Sequence, residues 1–232
     1  MQATVAATES NHTVALFDLD GTLTWSDTLL PFLGGYLKRQ PRNLVRLWRL
    51  PILAFRFCLD QCRGDPQSRG HLKSEVIRTI MGHAQRDAVN SYAATFVSHL
   101  QASGAFRAAA LHALEAHRAA GHHLVLLSAS PDLYVPRIGA LLGFELTLCT
   151  EIAWQGTRLD GHLLTANRQG EEKVRCLAQI RSRYPGLPII AYGNSSSDLP
   201  HMSQADQALL VNGSASANRL AGKINIPTAH WR

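Results

Sequence analysis

The chain has 232 residues, 46% of them apolar and 17% charged, with a formal net charge of +6. That length suits one large domain or a core with a smaller insertion, and the apolar share excludes extensive disorder. No run of 18 or more predominantly apolar residues occurs, and residues 1–13 lack the basic and apolar regions of a leader, so neither a spanning helix nor a signal peptide is expected.

The first element is Val14-Ala-Leu-Phe, which runs directly into Asp18-Leu-Asp20-Gly21-Thr-Leu-Thr24. A short apolar run of this kind predicts a buried strand of a parallel sheet. Gly21 permits the sharp turn that ends it. Asp18 and Asp20 then emerge together at the strand's carboxyl end, where open α/β sheets place their ligands. Two carboxylates so close repel each other and are costly to bury unpaired. A divalent cation relieves both problems, and an oxygen donor set suits Mg²⁺. The plainer reading is a strand end whose aspartates cap the next turn.

Beyond them, Ser26 and Asp27 are candidate caps for a helix through Leu29, Phe32, Leu33 and Tyr36. Residues 38–63 hold Lys38, Arg39, Arg42, Arg46, Arg49, Arg56 and Arg63 against Asp60 alone, interleaved with Leu44, Val45, Trp48, Ile52 and Phe55. Arg42, Arg46 and Arg49 fall at helical spacing on one face, and Pro51 should break or kink the helix. Gly64-Asp-Pro66 reads as a turn, followed by helices near 69–81 and 85–101. Residues 28–104 carry 11 Lys and Arg against 4 Asp and Glu, while the remainder carries 12 against 13. A near-neutral body with a basic, all-helical insertion is therefore expected.

Further on, a helix with Leu111 and Leu114 ends near Gly121, and His123 to Ser128 forms a second apolar strand that stops at a hydroxyl. Pro131 opens a helix through Val135, Ile138 and Leu142 that ends at Gly143. Residues 145–165 read as short strands, with turns at Gln155-Gly156 and Asp160-Gly161. Glu171 to Arg183 is a helix with Lys173 near its start. Leu187 to Tyr192 is a third main strand, leading into Gly193-Asn194-Ser-Ser-Ser-Asp198, and Ala208 to Val211 is a fourth. Strands alternating with helices predict an α/β fold with a doubly wound, Rossmann-like parallel sheet.

The four cysteines, Cys58, Cys62, Cys149 and Cys176, form no C-x-x-C pair, so buried reduced thiols in a cytoplasmic protein are expected. Cys58 and Cys62 lie one helical turn apart, which packing explains better than a metal. None of the eleven histidines is assigned a ligand role.

Three apolar strands thus end at polar residues: Asp18 and Asp20, Ser128, and Asn194 with Asp198. In a parallel sheet those ends share one edge, and Lys173 projects toward it from a helix start. Carboxylates, a hydroxyl, an amide and one lysine suit a phosphate beside a magnesium ion, since phosphoryl chemistry is mostly charge neutralisation and alignment. The phosphate loop Gly-x-x-x-x-Gly-Lys-[Ser/Thr] is absent.

The sequence resembles the haloacid dehalogenase-like superfamily through four motifs in order: Asp18-Leu-Asp20-Gly-Thr, Ser128, Lys173 and Gly193-Asn194-Ser-Ser-Ser-Asp198. It is most similar to the phosphoserine-phosphatase-like subgroup, and residues 18–33 and the basic segment after them look closest to bacterial phosphatidylglycerophosphate phosphatases. The resemblance implies a catalytic core of residues 1–27 and 105–232, with residues 28–104 as a helical C1-type cap. It implies a Mg²⁺-dependent phosphomonoesterase with Asp18 as nucleophile and Asp20 as general acid and base. Ser128 and Lys173 would bind the phosphoryl group and balance charge, and Asp18, Asp20, Asn194 and Asp198 would form the metal site. Substrates expected on this basis are a lipid phosphate or a small phosphorylated metabolite such as phosphoserine or histidinol phosphate.

Asn194 departs from the family pattern, which has an aspartate there; this motivates the alternative of a non-catalytic phosphate-binding or membrane-associated module. Asp27 matches a substrate-contacting acidic position, and equally reads as a helix cap. The Arg-rich, Trp-containing segment reads either as a solvated cap helix or as a peripheral contact with an anionic membrane at its inner face. No motif for nucleic-acid recognition accompanies the basic residues, so no nucleic-acid partner is expected.

Overall fold

The computed structural model describes residues 12–65 and 67–232. The expectations for the first residues and for Pro66 of the 64–66 turn therefore lie outside the described residues. Six strands form one parallel sheet: β1 (Val14–Phe17), β2 (His123–Pro131), β3 (Leu146–Thr150), β6 (Ile189–Gly193), β7 (Gln207–Val211) and β8 (Thr228–Ala229). Their order is β3-β2-β1-β6-β7-β8, with β4 (Ile152–Gln155) and β5 (Arg158–Leu163) forming a separate antiparallel hairpin. Winding runs outward from β1 in both directions, so the switch point lies between β1 and β6. This is the expected doubly wound, Rossmann-like α/β fold.

The period of two along each strand divides the core into two layers. Ala15 and Phe17 of β1, with Leu124 and Leu126 of β2, face one apolar cluster. That cluster takes in Ala110 and Leu114 of α5 (Ala108–Ala119) and Val135 and Ile138 of α6 (Val135–Leu141). Val14, Leu16, Val125 and Leu127 face the other, against Cys176, Leu177 and Ile180 of α7 (Glu171–Arg183). Leu199 and Met202 of α8 (Leu199–Met202) and Ala217 and Ala221 of α9 (Ala215–Lys223) complete that second layer.

Between β1 and α5 the named elements are helical: α1 (Leu29–Arg39), a 3₁₀ segment (Pro41–Arg49), α2 (Leu50–Cys62), α3 (Ser68–Met81) and α4 (Arg86–Ala102). The 3₁₀ segment gives way to α2 one residue before Pro51, in keeping with the break or kink expected there. The proline occupies the first turn of α2, where a missing N–H costs nothing. Phe32 of α1 and Tyr92 and Phe96 of α4 gather around Tyr134, with Phe32 and Tyr134 centroids 4.5 Å apart. This aromatic group continues the first core layer into the insertion.

Several local expectations are corrected. The strand expected to stop at Ser128 runs on to Pro131, and the helix starts only at Val135, after a turn. Proline is tolerated at a strand end because little of the ladder depends on its nitrogen. Asp160-Gly161 lies inside β5, where Gly161 (φ 89°) leaves room for the Arg78 backbone of α3. Arg42, Arg46 and Arg49 do not share one solvated face, because Arg46 turns inward and donates to the Gly82 carbonyl at 3.0 Å. Cys149 and Cys176 are buried, but Cys58 and Cys62 are exposed, since they sit on the outward side of α2. Among the described residues, no helix is long and apolar enough to cross a membrane.

Candidate active site

The carboxyl ends of β1, β2 and β6 bring the motif residues together at the switch point. Asp18, the residue after β1, is buried, and its backbone N–H is held by the Tyr192 carbonyl of β6 at 3.0 Å. Lys173, in the first turn of α7 and also buried, donates to Asp18 Oδ1 at 2.7 Å and to Asp198 Oδ1 at 2.6 Å. The other Asp18 oxygen accepts from the Thr22 hydroxyl at 3.1 Å.

Asp198 has a second set of bonds. Its Oδ2 accepts from the backbone N–H of Asn194 and Ser195 and from the Ser195 hydroxyl, at 3.2, 3.0 and 2.7 Å. The fourth motif is therefore a loop folded back on its own last carboxylate. Gly193 is required at its base, where a Cβ would lie 2.7 Å from Asp198 Cβ. Asp198 thus spends its oxygens on Lys173 and on the loop bearing Asn194. The Asn194 side chain itself has no hydrogen-bonded partner among the described residues. It packs against Gly21 so closely that a Cβ there would overlap its amide nitrogen. Gly21 (φ 81°) is thus needed both for the turn after Asp20 and for this contact.

Asp20 is held apart from that ion-pair system. Its Oδ1 accepts from the Thr28 backbone N–H at 2.8 Å and hydroxyl at 2.7 Å, and its Oδ2 from Ser130 Oγ at 2.6 Å. Thr28 Oγ1 is in turn 2.9 Å from the Tyr134 hydroxyl. Ser128, fully buried, accepts from the Ser130 N–H at 3.0 Å, which fixes its oxygen at the edge of the site.

Charge follows burial. Desolvation pushes the Asp18 carboxyl up to about 7; Lys173 pulls it down, while Asp198 and Asp20 push it further up. Burial also pushes Asp198 upward, but Lys173, His201 and the Ser195 bond outweigh it and hold this carboxyl at about 2. Lys173 is opposed by burial and raised by both aspartates, so it stays protonated. Desolvation raises the Asp20 carboxyl, which the Ser130 and Thr28 bonds only partly offset. A carboxyl raised in this way is suited to act as a general acid.

One contributor is not evident from the sequence. Lys73 of α3 reaches in from the insertion and donates to the Ala129 carbonyl at 2.7 Å and to Asn167 Oδ1 at 2.5 Å. Burial lowers its ammonium to about 8, against the pull of Asp20 and Asp27. Asn167 also lines a cleft of about 980 Å³ between α3 and the loop before α7, together with Arg69, Gln169, Arg175 and Ser197. Asp27 lies at the exposed rim, where its Oδ1 caps α1 by accepting from the Leu30 N–H at 3.1 Å.

Ser130 could have been found from its i, i+2 spacing to Ser128, the same spacing as the two aspartates. Thr28, Tyr134 and Lys73 carried no comparable signal.

The donor set tests whether a metal fits. Asp18 offers a carboxylate, Asp20 a backbone carbonyl and Asn194 an uncommitted amide oxygen, all hard ligands of the kind Mg²⁺ prefers. Three acidic side chains converge here on one fully buried ammonium, and the Asp18 carboxyl rises chiefly through desolvation, with Asp198 and Asp20 adding to it. The residues fit a divalent cation.

Fold and site together define a doubly wound α/β protein whose paired aspartates stand at the topological switch. The chain belongs to the haloacid dehalogenase-like hydrolase family, which it matches over residues 15–203. It is 29% identical over 193 residues to Protein CicA of Caulobacter vibrioides, covering 82% of each chain. It is also similar in structure to a protein of unknown function from Bordetella pertussis Tohama I. There the TM-score is 0.74 and the identity 18%, with 94% of this chain and 98% of that one covered. A phospho-aspartyl intermediate analogue of phosphoserine phosphatase superposes with a TM-score of 0.60 at 13% identity, over 90% of each chain. At such identities the two structures speak for the fold alone.

Proposed function

We propose that the chain is a Mg²⁺-dependent phosphomonoesterase that works through an aspartyl-phosphate on Asp18. The observation that carries this reading is the separation of two aspartates only two residues apart. Asp18 is tied to Lys173, and Asp20 to Thr28 and Ser130. One is arranged as a charged nucleophile and the other as an acid.

In the first step an Asp18 oxygen attacks phosphorus and the bond from phosphorus to the leaving oxygen breaks. Asp20 gives its proton to that oxygen. In the second step Asp20, now a carboxylate, takes a proton from water as the water attacks the same phosphorus. Inorganic phosphate leaves and the Asp18 carboxylate returns. Lys173 offsets charge on Asp18 and on the phosphoryl oxygens, and the Ser128 hydroxyl donates to one of them. Asp18, the Asp20 carbonyl and Asn194 would hold Mg²⁺, with Asp198 fixing the Asn194 loop and contributing its charge from behind. The ion's contribution, when bound, is to neutralise phosphoryl charge.

Residues 28–104 serve as a cap over this core, with Lys73 as their cationic contact to the phosphorylated substrate. The phosphoserine phosphatase likeness supports a phosphomonoester, and the polar cleft beside Asn167 offers space for its leaving group.

The test is release of inorganic phosphate from phosphatidylglycerophosphate, phosphoserine, histidinol phosphate and an aryl phosphate, with and without Mg²⁺. Metal-dependent turnover of at least one supports the proposal. Asn194, uncharged at a metal position, favours a second reading: a module that binds phosphorylated ligands without hydrolysing them. Binding without turnover of any of the four, metal present, would establish that second reading.

A further inference from the structure

The 3₁₀ segment and α2 contain no buried residue at all, although they are rich in large apolar side chains. Helix α2 leans on α3 through Leu53 and Phe57, which line a small cavity of about 270 Å³ with Leu72. An ordinary surface helix would turn a polar face outward from such a contact. Here Trp48, Ile52, Phe55 and Leu59 recur at intervals of four, three and four residues, which places them on one stripe opposite Leu53 and Phe57. Trp48 is 63% exposed and Phe55 64%, and the neighbouring Val45 is 76% exposed. A contiguous apolar stripe of this kind on a water-soluble fold marks a surface that is covered in use.

What borders the stripe identifies the cover. Arg49, Arg56 and Arg63 follow one another at seven-residue spacing, forming a row along one flank of the stripe. All three are exposed, as is Arg42 before them, and none of the four makes an ion pair among the described residues. The single acidic residue of α2, Asp60, is half-buried and lines the cavity against α3 together with Arg56, without pairing with it. A second copy of the chain meeting this face would oppose like charge to like. An anionic lipid surface instead satisfies both features, taking the aromatic and aliphatic side chains among its acyl chains and the guanidinium groups among its headgroup phosphates.

We propose that α2 and the preceding 3₁₀ segment form an interfacial docking surface for anionic membranes. The stripe from Trp48 to Leu59 inserts and the row of arginines selects negative headgroups. Helix α3, which carries Lys73, packs directly beneath α2, so docking holds the cleft close to the lipid surface. The proposal does not depend on the catalytic reading.

The experiment is flotation of the full chain with vesicles of phosphatidylcholine alone or mixed with phosphatidylglycerol, at low and high salt, alongside its mass in solution. Co-flotation only with the mixed vesicles, weakened by salt, is expected. Tryptophan emission should shift to the blue on binding, and Trp48→Phe should remove most of that shift. Replacing Arg49, Arg56 and Arg63 with Gln should weaken partitioning by on the order of 100-fold. Trp48→Ala with Phe55→Ala should weaken it by roughly tenfold or more, and all these side chains are exposed enough to leave the fold intact. No flotation with mixed vesicles at low salt would overturn the proposal. So would a dimeric mass that Trp48→Ala with Phe55→Ala returns to monomer, because the cover would then be a second copy.

Discussion

Lys73, from the helical insertion, donates to the carbonyl of Ala129, the residue that follows Ser128 in the core, at 2.7 Å. The two lie 56 positions apart in sequence, and their contact joins the insertion to the core near the carboxyl end of β2. In the proposed enzyme this ammonium exchanges the Ala129 carbonyl and Asn167 for an anionic oxygen of the substrate.

Lys73→Met should therefore raise KM by roughly 10- to 100-fold, the worth of a hydrogen bond to a charged group, with a smaller effect on kcat. Burial holds the ammonium at about 8, so it is charged below that pH and loses its proton as pH rises through it. KM should climb above pH 8 in the native protein. Lys73→Arg, which keeps its charge across this range, should flatten that limb. A KM–pH profile of the three proteins decides the matter.

Asp18→Asn should abolish turnover, by at least ~10³-fold, because an amide is a poor nucleophile at phosphorus. The change is nearly isosteric, so the thermal transition should stay close to that of the native chain. Retention of a substantial fraction of the activity would rule out Asp18 as nucleophile.

Asp20→Asn should slow alkyl phosphates by ~10²–10⁴-fold and an aryl phosphate by much less, since proton donation matters most for a basic leaving oxygen. Ser130→Ala should show the same leaving-group bias in weaker form, because it removes the bond that orients Asp20 Oδ2. Equal losses on both substrate types would argue against an acid at this position.

Asn194→Asp should lower the Mg²⁺ concentration needed for half-maximal activity, since a carboxylate attracts a hard cation more strongly than an amide. Asp198→Asn should raise it, by loosening the loop that Oδ2 holds and weakening the anchor of Lys173. Magnesium titrations at saturating substrate measure both shifts. Three coincident curves would remove the fourth motif from the metal site.

The sheet was legible where burial is complete. β1 and the first part of β2 are unbroken apolar runs, and a strand covered on both faces can be little else. α9 was not foreseen because its buried positions are only alanines, Ala217 and Ala221, and β8 is two residues long. The site divides in the same way. Asp18, Asp20, Lys173, Asn194 and Asp198 stand where strands or helices begin or end, and Ser128 closes the apolar part of β2, which local sequence reveals. Thr28 meets Tyr134 across 106 residues and Lys73 meets Asn167 across 94, and only the fold brings those pairs together. The exposure of Cys58 and Cys62 runs against local sequence, because apolar neighbours in a helix usually signal an inward face. In α2 they mark the outward one.

The aromatic group of Phe32, Tyr92, Phe96 and Tyr134 divides the insertion into two mechanical parts. α1 and α4 are stapled through Tyr134 to the same network that orients Asp20, so they form a collar around the proposed proton donor. The 3₁₀ segment and α2 contribute no buried residue, whereas α3 is anchored in the core through Ile77 and Met81; residues 41–81 carry Lys73 and the arginine row. On the two proposals above, exchange of residues 41–81 between relatives would move the proposed substrate contact and the proposed membrane surface together, while Asp20 kept its bonds to Thr28 and Ser130. In such an arrangement the chemistry is inherited and the destination is interchangeable.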